Sequence, residues 1–175
     1  MIIRDAHLDD APRLREIFAP YVEQTAITFE YDVPTLEVFR QRMEAVLRSY
    51  PYFVAIDEGR IVGYAYAGRF KQQAAYRWAV ETSIYVDRSV HRRGVGRMLH
   101  EALEEALRQR GILNMNACIA YLEQPDEYLP LDSVHFHERM GYTRVAHFHR
   151  CGRKFGRWYD MIWMEKLIDN ASYRL

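Results

Sequence analysis

The sequence predicts a mixed α/β fold, a sheet with both parallel and antiparallel strands covered by helices, in the order β-α-α-β-β-β-α-β-α-β-β. Two observations lead there. The hydrophobic period switches repeatedly between about 3.6 and 2 along the 175 residues, and the strongest helical pattern stands between two β-rich runs. A helix in that place is the crossover that parallel strands require, whereas Glu58-Gly59 is the turn signal of an antiparallel hairpin.

The elements follow in order. Residues 2–4 read as a short strand, and Asp9 starts a helix on which Leu14, Ile17, Phe18 and Tyr21 recur at helical spacing. Pro34 and Thr35 announce a second helix carrying Leu36, Phe39, Met43, Val46 and Leu47, and Pro51 ends it. Between the two helices, TAITFEYD is irregular, with aromatics that read as exposed. Residues 52–57, 60–69 and 76–86 then take a strand period rich in aromatic and β-branched side chains, which predicts an antiparallel meander. After Gly94, one helix face is marked by Val95, Met98, Leu99, Ala102, Leu103, Ala106 and Leu107, and Gly111 closes it. Residues 114–121 return parallel to 76–86 by a right-handed crossover. A short helix over 133–140 and strands over 143–149 and 156–165 complete the sheet.

Composition bounds the function. The length suits one domain spanning residues 1–175, and no repeat or Gly/Ser linker divides it. Lysine plus arginine equals aspartate plus glutamate at 24 each, so no global field draws the chain to nucleic acid or to an anionic membrane. Cys118 and Cys151 are too few for a disulfide framework and read as inert buried thiols; no Cys-x-x-Cys or paired-His spacing offers a metal site, so no metal is expected. The opening MIIRDAHLDD lacks an apolar signal core and no run of ~18 apolar residues occurs, which points to a cytoplasmic protein.

Three features carry chemistry. In VHRRGVGRML, Gly94 and Gly96 let backbone N–H groups of an opening helical turn point at one anion, with Arg92, Arg93 and Arg97 around it; a glycine-assisted helix start with solvated arginines reads equally well. Glu81 is a lone carboxylate within YRWAVETSIYV, so it is either paired with a cation such as Arg77 or kept as a base. His137 can carry a proton near neutral pH, but His135, His147 and His149 stand close by, and residue chemistry alone does not choose among them.

The element order, with YRWAVETSIYVDRSVHRRGVGRML in the middle and SVHFHERMGY near the end, resembles the GNAT acyltransferases, most of all the phosphinothricin and methionine sulfoximine acetyltransferase group. The resemblance spans nearly the whole chain. It implies acetyl transfer from acetyl-CoA to the amine of a small molecule, an amino acid or analogue. The family's pyrophosphate-binding turn falls on His91, Arg92, Arg93, Gly94, Val95 and Gly96, flanked by Arg97 and by Ile84, Tyr85 and Val86 at the strand end; His91 replaces the usual Arg/Gln. The same resemblance makes Glu81 a base acting through water, and His137, four residues before Gly141, the acid. Tyr142 or Tyr121 is the next candidate for that acid. Phe29, Glu30, Arg69, Tyr76 and Trp78 match positions that shape the amine pocket.

Two departures bear on the acceptor. FKQQAAY puts Lys71, Gln72 and Gln73 where the group carries arginine for a substrate carboxylate, so an amino-acid acceptor needs Lys71 or Arg69 to supply the charge. The insertion YLEQPDEYLPLD is a solvated loop, a lid or a dimer contact, and its Glu123, Asp126 and Glu127 could favour a cationic amine. CGRKFGRWYDMIWMEK could line a subunit interface, and the resemblance implies a homodimer. A protein or peptide N-acetyltransferase and a non-catalytic acyl-CoA-binding module stand as alternatives.

Overall fold

The computed structural model describes residues 1–90 and 93–168. His91 and Arg92 of the expected anion-binding turn lie outside the described residues. The strands are β1 (Ile2–Asp5), β2 (Tyr52–Asp57), β3 (Arg60–Arg69), β4 (Ala79–Val86), β5 (Asn114–Tyr121), β6 (Thr143–Lys154) and β7 (Arg157–Leu167). The helices are α1 (Ala11–Gln24), α2 (Leu36–Leu47), α3 (Val95–Gln109) and α4 (Asp132–Arg139), so the expected element order is the observed one. One seven-stranded sheet runs β1-β2-β3-β4-β5-β7-β6, antiparallel except for β4 beside β5.

Three boundaries differ from expectation. The strand expected over 76–86 starts at Ala79, because Ala74–Tyr76 close a 3-10 turn in which the Arg77 N–H reaches the Ala74 carbonyl at 3.1 Å. The last two strands run longer than expected. They are joined by Phe155-Gly156 at φ 51° and 72°, a turn whose two positive φ values match the twist of a tight hairpin. A register shift between Phe148 and Gly152, with Arg150 at φ 49°, lets β6 continue past a stretch that lacks alternation.

Alternate strand residues feed two cores, as the two-residue period requires. On one face Leu99, Leu103 and Leu107 of α3, each fully buried, pack with Ala55, Ala65, Val80, Met115, Ile162 and Met164. On the other, Leu14, Phe18, Phe39 and Met43 of α1 and α2 pack with Tyr52, Val54 and Tyr64. No helix among the described residues is long and apolar enough to cross a membrane.

The feature that positions the site is where β4 and β5 part. Their pairing lasts three rungs, Ala79–Asn114, Val80–Met115 and Glu81–Asn116. The last rung is pinned: the Asn116 Nδ2 donates to the Val80 carbonyl and the Thr82 hydroxyl to the Asn116 carbonyl, both at 3.2 Å. Beyond it β4 stays with β3 as far as Val86 and β5 stays with β7 as far as Tyr121, so a wedge opens between them. Because α3 and the sheet share the core beneath this wedge, Leu103→Ala is expected to cost about 3 kcal/mol of unfolding free energy, read as a lower urea midpoint at unchanged slope.

Candidate active site

The wedge is a cleft of about 450 Å³ reached by Val86, Arg88 and Gly96 from one side and by Tyr128, Ser133 and His137 from the other. It narrows to a passage of about 70 Å³. Ser83, Tyr85, Cys118 and Ala120 line this passage from the α1/α2 face of the sheet, and Thr82, Ile84, Ala117 and His137 line it from the α3/α4 face. The passage therefore connects the two faces. Along 82–86 the edge of β4 turned toward β5 has no strand partner, so its N–H and C=O groups, apart from the Val86 carbonyl that accepts from the Tyr21 hydroxyl, can serve an amide-bearing ligand.

The mouth of the cleft holds the start of α3. Gly94 sits at φ 74°, a left-handed conformation open to glycine, and the first helical bond runs from the Met98 N–H to the Gly94 carbonyl at 3.0 Å. The N–H groups of Val95, Gly96 and Arg97 thus precede any intrahelical acceptor and suit an anion. Gly96 lines the cleft, and a Cβ there would stand 3.3 Å from the Phe136 ring. The Val95 side chain points into the core, leaving its backbone as the useful group. Of the expected arginines, the two that are described turn away from the turn. Arg93 pairs with Asp57 at 2.5 Å, and Arg97 pairs with Glu101 at 2.7 Å on a separate groove with Glu104 and Lys166. Each was drawn away by an acidic partner that the sequence spacing does not reveal for Arg93 and reveals only as an i,i+4 pair for Arg97. Ile84, Tyr85 and Val86 line the wedge. Arg88, just past the strand end and donating to the Gln24 side-chain Oε1 at 2.9 Å, is the cleft cation that the motif reading passed over.

Glu81 lies on the α1/α2 face at the last rung, opposite Gly68 and Asn116. Among the described residues it makes no ion pair within 4.0 Å; Arg77, the expected partner, stacks over Trp78 at 4.3 Å. Burial raises the Glu81 carboxyl above its ordinary range, and the Lys71 charge partly opposes that. Lys71 sits over Phe70 at 5.3 Å, and Phe70 meets Tyr76 and Trp163 edge-on at 5.9 and 5.6 Å. Cys118 shares this face. The two cysteines touch solvent and are not buried thiols, yet desolvation followed by the Glu81 charge pushes the Cys118 thiol up to about 12, so it stays protonated. Ser83 and Tyr66, hydrogen-bonded to each other, continue the face toward a cavity of about 100 Å³ that also includes Glu30, Arg42 and Tyr85.

His137 reaches the wedge from α4 and is 8% exposed. Its Nδ1–H donates to the Ser133 carbonyl one turn earlier at 2.7 Å, which leaves Nε2 as the accepting nitrogen of a neutral ring. Burial lowers its pKa against that hydrogen bond. The ring stands edge-on to Tyr142 at 5.0 Å, and the Tyr142 hydroxyl meets His100 Nε2 at 3.0 Å. His100 is fully buried, its Nδ1 has no hydrogen-bond partner among the described residues, and burial pushes its pKa down to about 4. Tyr142, itself 3% exposed, does not line the cleft, so as an acid it could act only through others.

The residues expected to shape the acceptor pocket divide into two groups. Glu30 bonds Arg42 at 2.8 Å, and Phe29 packs on the bare backbone of Gly152, where a Cβ would fall 2.3 Å from its ring. Tyr76 joins the Phe70–Lys71 cluster near Glu81. Arg69 is turned onto Gln72 at 3.3 Å, and Trp78 lies under Arg77 at the start of β4. The inserted loop lies against the cleft. Asp126 accepts from the N–H groups of Tyr128 and Leu129 at 2.9 Å and from the Tyr159 hydroxyl, and it pairs with Arg157, as does Glu127 at 2.6 Å. Asp126 and Glu127 therefore organise the loop, and Leu129 anchors it at 2% exposure beside Tyr159.

The sheet is split by a wedge with a helix N-terminus at its mouth, and the family model for the acetyltransferase (GNAT) domain matches residues 3–163. The chain belongs to the GNAT acetyltransferase family and is an acetyltransferase. It is similar to the phosphinothricin N-acetyltransferase of Streptomyces viridochromogenes, 31% identical over 91% of this chain and 83% of that one. It is likewise similar to the L-methionine sulfoximine/L-methionine sulfone acetyltransferase of Pseudomonas aeruginosa, 31% identical over 95% and 94%. Among solved structures, the ribosomal-protein-alanine N-acetyltransferase of Brucella melitensis superimposes with a TM-score of 0.88 at 31% identity, covering 96% of this chain and all of that one. A phosphinothricin acetyltransferase of Sinorhizobium meliloti in complex with acetyl-CoA superimposes with a TM-score of 0.87 at 30% identity, covering 95% and 88%.

The buried His100 carries a pH dependence whose sign follows from its depressed pKa. Above about 6.5 both folded and unfolded states hold it neutral. As pH falls from 6.5 to 4 only the unfolded state takes up the proton, so folding stability drops. At roughly 1.4 kcal/mol per unit this amounts to about 3 kcal/mol. His100→Gln is expected to flatten that part of the stability profile, measured by urea unfolding at a series of pH values.

Proposed function

We propose that the 175 residues form one acetyltransferase domain that moves the acetyl group of acetyl-CoA onto the primary amine of a small, amino-acid-like acceptor. The observation that carries the reading is that the wedge opens one residue beyond Glu81, so a thioester lying in it meets a carboxylate set on the opposite face. The acetyl-CoA complex of the Sinorhizobium meliloti relative supports the donor. The pyrophosphate is assigned to the turn 91–97, with the N–H groups of Val95 and Gly96 and the Arg88 side chain as contacts, and the pantetheine amides to the open edge of β4 at Ile84, Tyr85 and Val86.

Glu81 is the base in this reading. Its desolvated carboxyl lies closer in proton affinity to an ammonium than an ordinary carboxylate does, and it reaches the amine through water. His137 is the acid. Its Nε2 has no hydrogen, so it takes the proton that the attacking nitrogen must lose once it has bonded to the thioester carbon, and gives that proton to the sulfur as the C–S bond breaks. Lys71, beside Glu81, supplies the charge for an acceptor carboxylate in place of the missing arginine, while Tyr76, Phe29 and Glu30 bound the pocket with Trp78 and Arg69 at its rim. A homodimer through the tip of the β6–β7 hairpin is part of the proposal, supported by Phe155 and Trp158, 38% and 55% exposed.

Peptide acetylation is the second reading, favoured by the name of the Brucella melitensis neighbour. A screen of free amino acids, their phosphinate and sulfoximine analogues, polyamines and Ala-terminated peptides with acetyl-CoA, reading released thiol, decides between them. Faster turnover of the peptides than of every free amine would overturn the small-molecule acceptor.

Two variants test the machinery. Gly96→Val is expected to weaken acetyl-CoA at least tenfold, about 1.4 kcal/mol, because the added side chain meets the Phe136 ring at the cleft wall; unchanged calorimetric affinity in a folded variant refutes the assignment. Glu81→Gln keeps the shape and removes the proton acceptor. Its kcat/KM is expected to fall about 10²-fold near neutral pH and to recover in part as pH rises toward the amine's own pKa. Full activity at neutral pH, or loss of folding, would sink the base assignment.

A further inference from the structure

Away from the cleft, at the outer end of the sheet, the bulge in β6 brings three metal-ligating side chains together. His147 and His149 leave the same strand two residues apart, and their rings stack at 4.1 Å with 21° between planes. Asp160 of β7 joins them: His147 Nε2 stands 2.7 Å from its Oδ2. One donor atom from each residue lies within 4.8 Å of the other two. The carboxylate is held from behind, because the Arg150 N–H, placed by its φ of 49°, donates to Asp160 Oδ1 at 2.8 Å and leaves Oδ2 turned to the imidazoles. Tyr121 props the His147 ring edge-on at 5.2 Å. The His147 and Asp160 side chains are 29% and 18% exposed and His149 is exposed, so an ion can enter from solvent.

Two imidazoles and one carboxylate thus converge on a single point, and a single divalent ion is a partner that all three can share. Two imidazoles and a carboxylate suit zinc or a neighbouring late transition metal rather than magnesium or calcium, which take oxygen-rich sets. Zinc bonds of about 2.0–2.2 Å require tetrahedral ligand atoms roughly 3.3 Å apart. The 2.7 Å contact must widen slightly and the widest separation, at most 4.8 Å, must close, adjustments that rotations of partly exposed side chains supply.

We infer that His147, His149 and Asp160 form a surface site for one zinc-type divalent ion, with three protein ligands and the remaining coordination left to water. Such an ion ties the β6 bulge to β7 and acts on stability, because none of its three ligands lines the cleft, even though Tyr121, which props His147, ends the strand that bounds it. Sequence spacing does not reveal it, since the third ligand comes from the neighbouring strand.

The test uses the full chain stripped with a chelator, titrated with zinc chloride in a calorimeter and followed by thermal unfolding. Expected are one saturable site per chain and a melting temperature that rises with free zinc. His149→Gln keeps the bulge hydrogen bonds and is expected to weaken zinc at least tenfold and to abolish the thermal shift; Asp160→Asn is expected to do the same. Absence of a saturable site in the wild type, or unchanged zinc affinity in folded His149→Gln, overturns the site. Loss in Asp160→Asn alone overturns the three-ligand set.

Discussion

Two strands that begin as hydrogen-bonded neighbours can separate only if each has a second partner strong enough to hold it. In this chain β3 holds β4 from Gly63–Val86 to Arg69–Val80, and β7 holds all eight residues of β5. The Asn116 and Thr82 side chains close the last shared rung and fix where the split begins. Past that rung the inner edges carry backbone groups that would cost about 1–3 kcal/mol each if buried without partners. They must face water or a ligand with amides of its own. The helix that crosses from β4 to β5 starts directly after β4, so its unpaired N–H groups arrive at the wedge mouth by connectivity alone. Site and fold share this one origin.

What the sequence discloses follows the range of the interactions involved. The α3 face and the Glu58-Gly59 hairpin are set by residues within a few positions of one another, and they stand where the period places them. The parallel return of β5 follows from a helix lying between two strands. The wedge is different. It depends on β7 inserting between β5 and β6, a pairing of segments some forty residues apart that no local pattern marks. The end of β6 was hidden likewise, because the bulge at 148–152 interrupts the alternation that identifies a strand.

The candidate site was legible to the same degree. Glu81 stood out as a charge in an apolar run, and the structure leaves it without an ion pair among the described residues. His137 could be told from its neighbours only by resemblance, although a serine four residues earlier on the same helix turned out to mark the carbonyl that orients it. Charges at loops were misread most. Asp126 looks solvated in sequence but ties its own loop to Tyr159 and Arg157, and Arg93 looks free but answers Asp57 from another strand. An exposed-looking charge takes its partner from whatever the fold brings near.

The separation of Glu81 and His137 by the sheet has a consequence for their proton affinities. Side by side, a carboxylate and an imidazole form an ion pair, which lowers the acid's pKa and raises the base's until neither exchanges protons readily near neutrality. On opposite faces, each feels burial more than the other's charge. Desolvation disfavours the charged form of both, so the carboxyl moves up and the imidazole moves down, toward each other. In the proposed reaction, two groups with converging affinities, set on either side of the gap that Ser83 and Thr82 line, would take a proton on one face and release one on the other without quenching each other. On that reading the gap would do electrostatic as well as steric work, admitting the thioester while keeping the two proposed proton carriers apart.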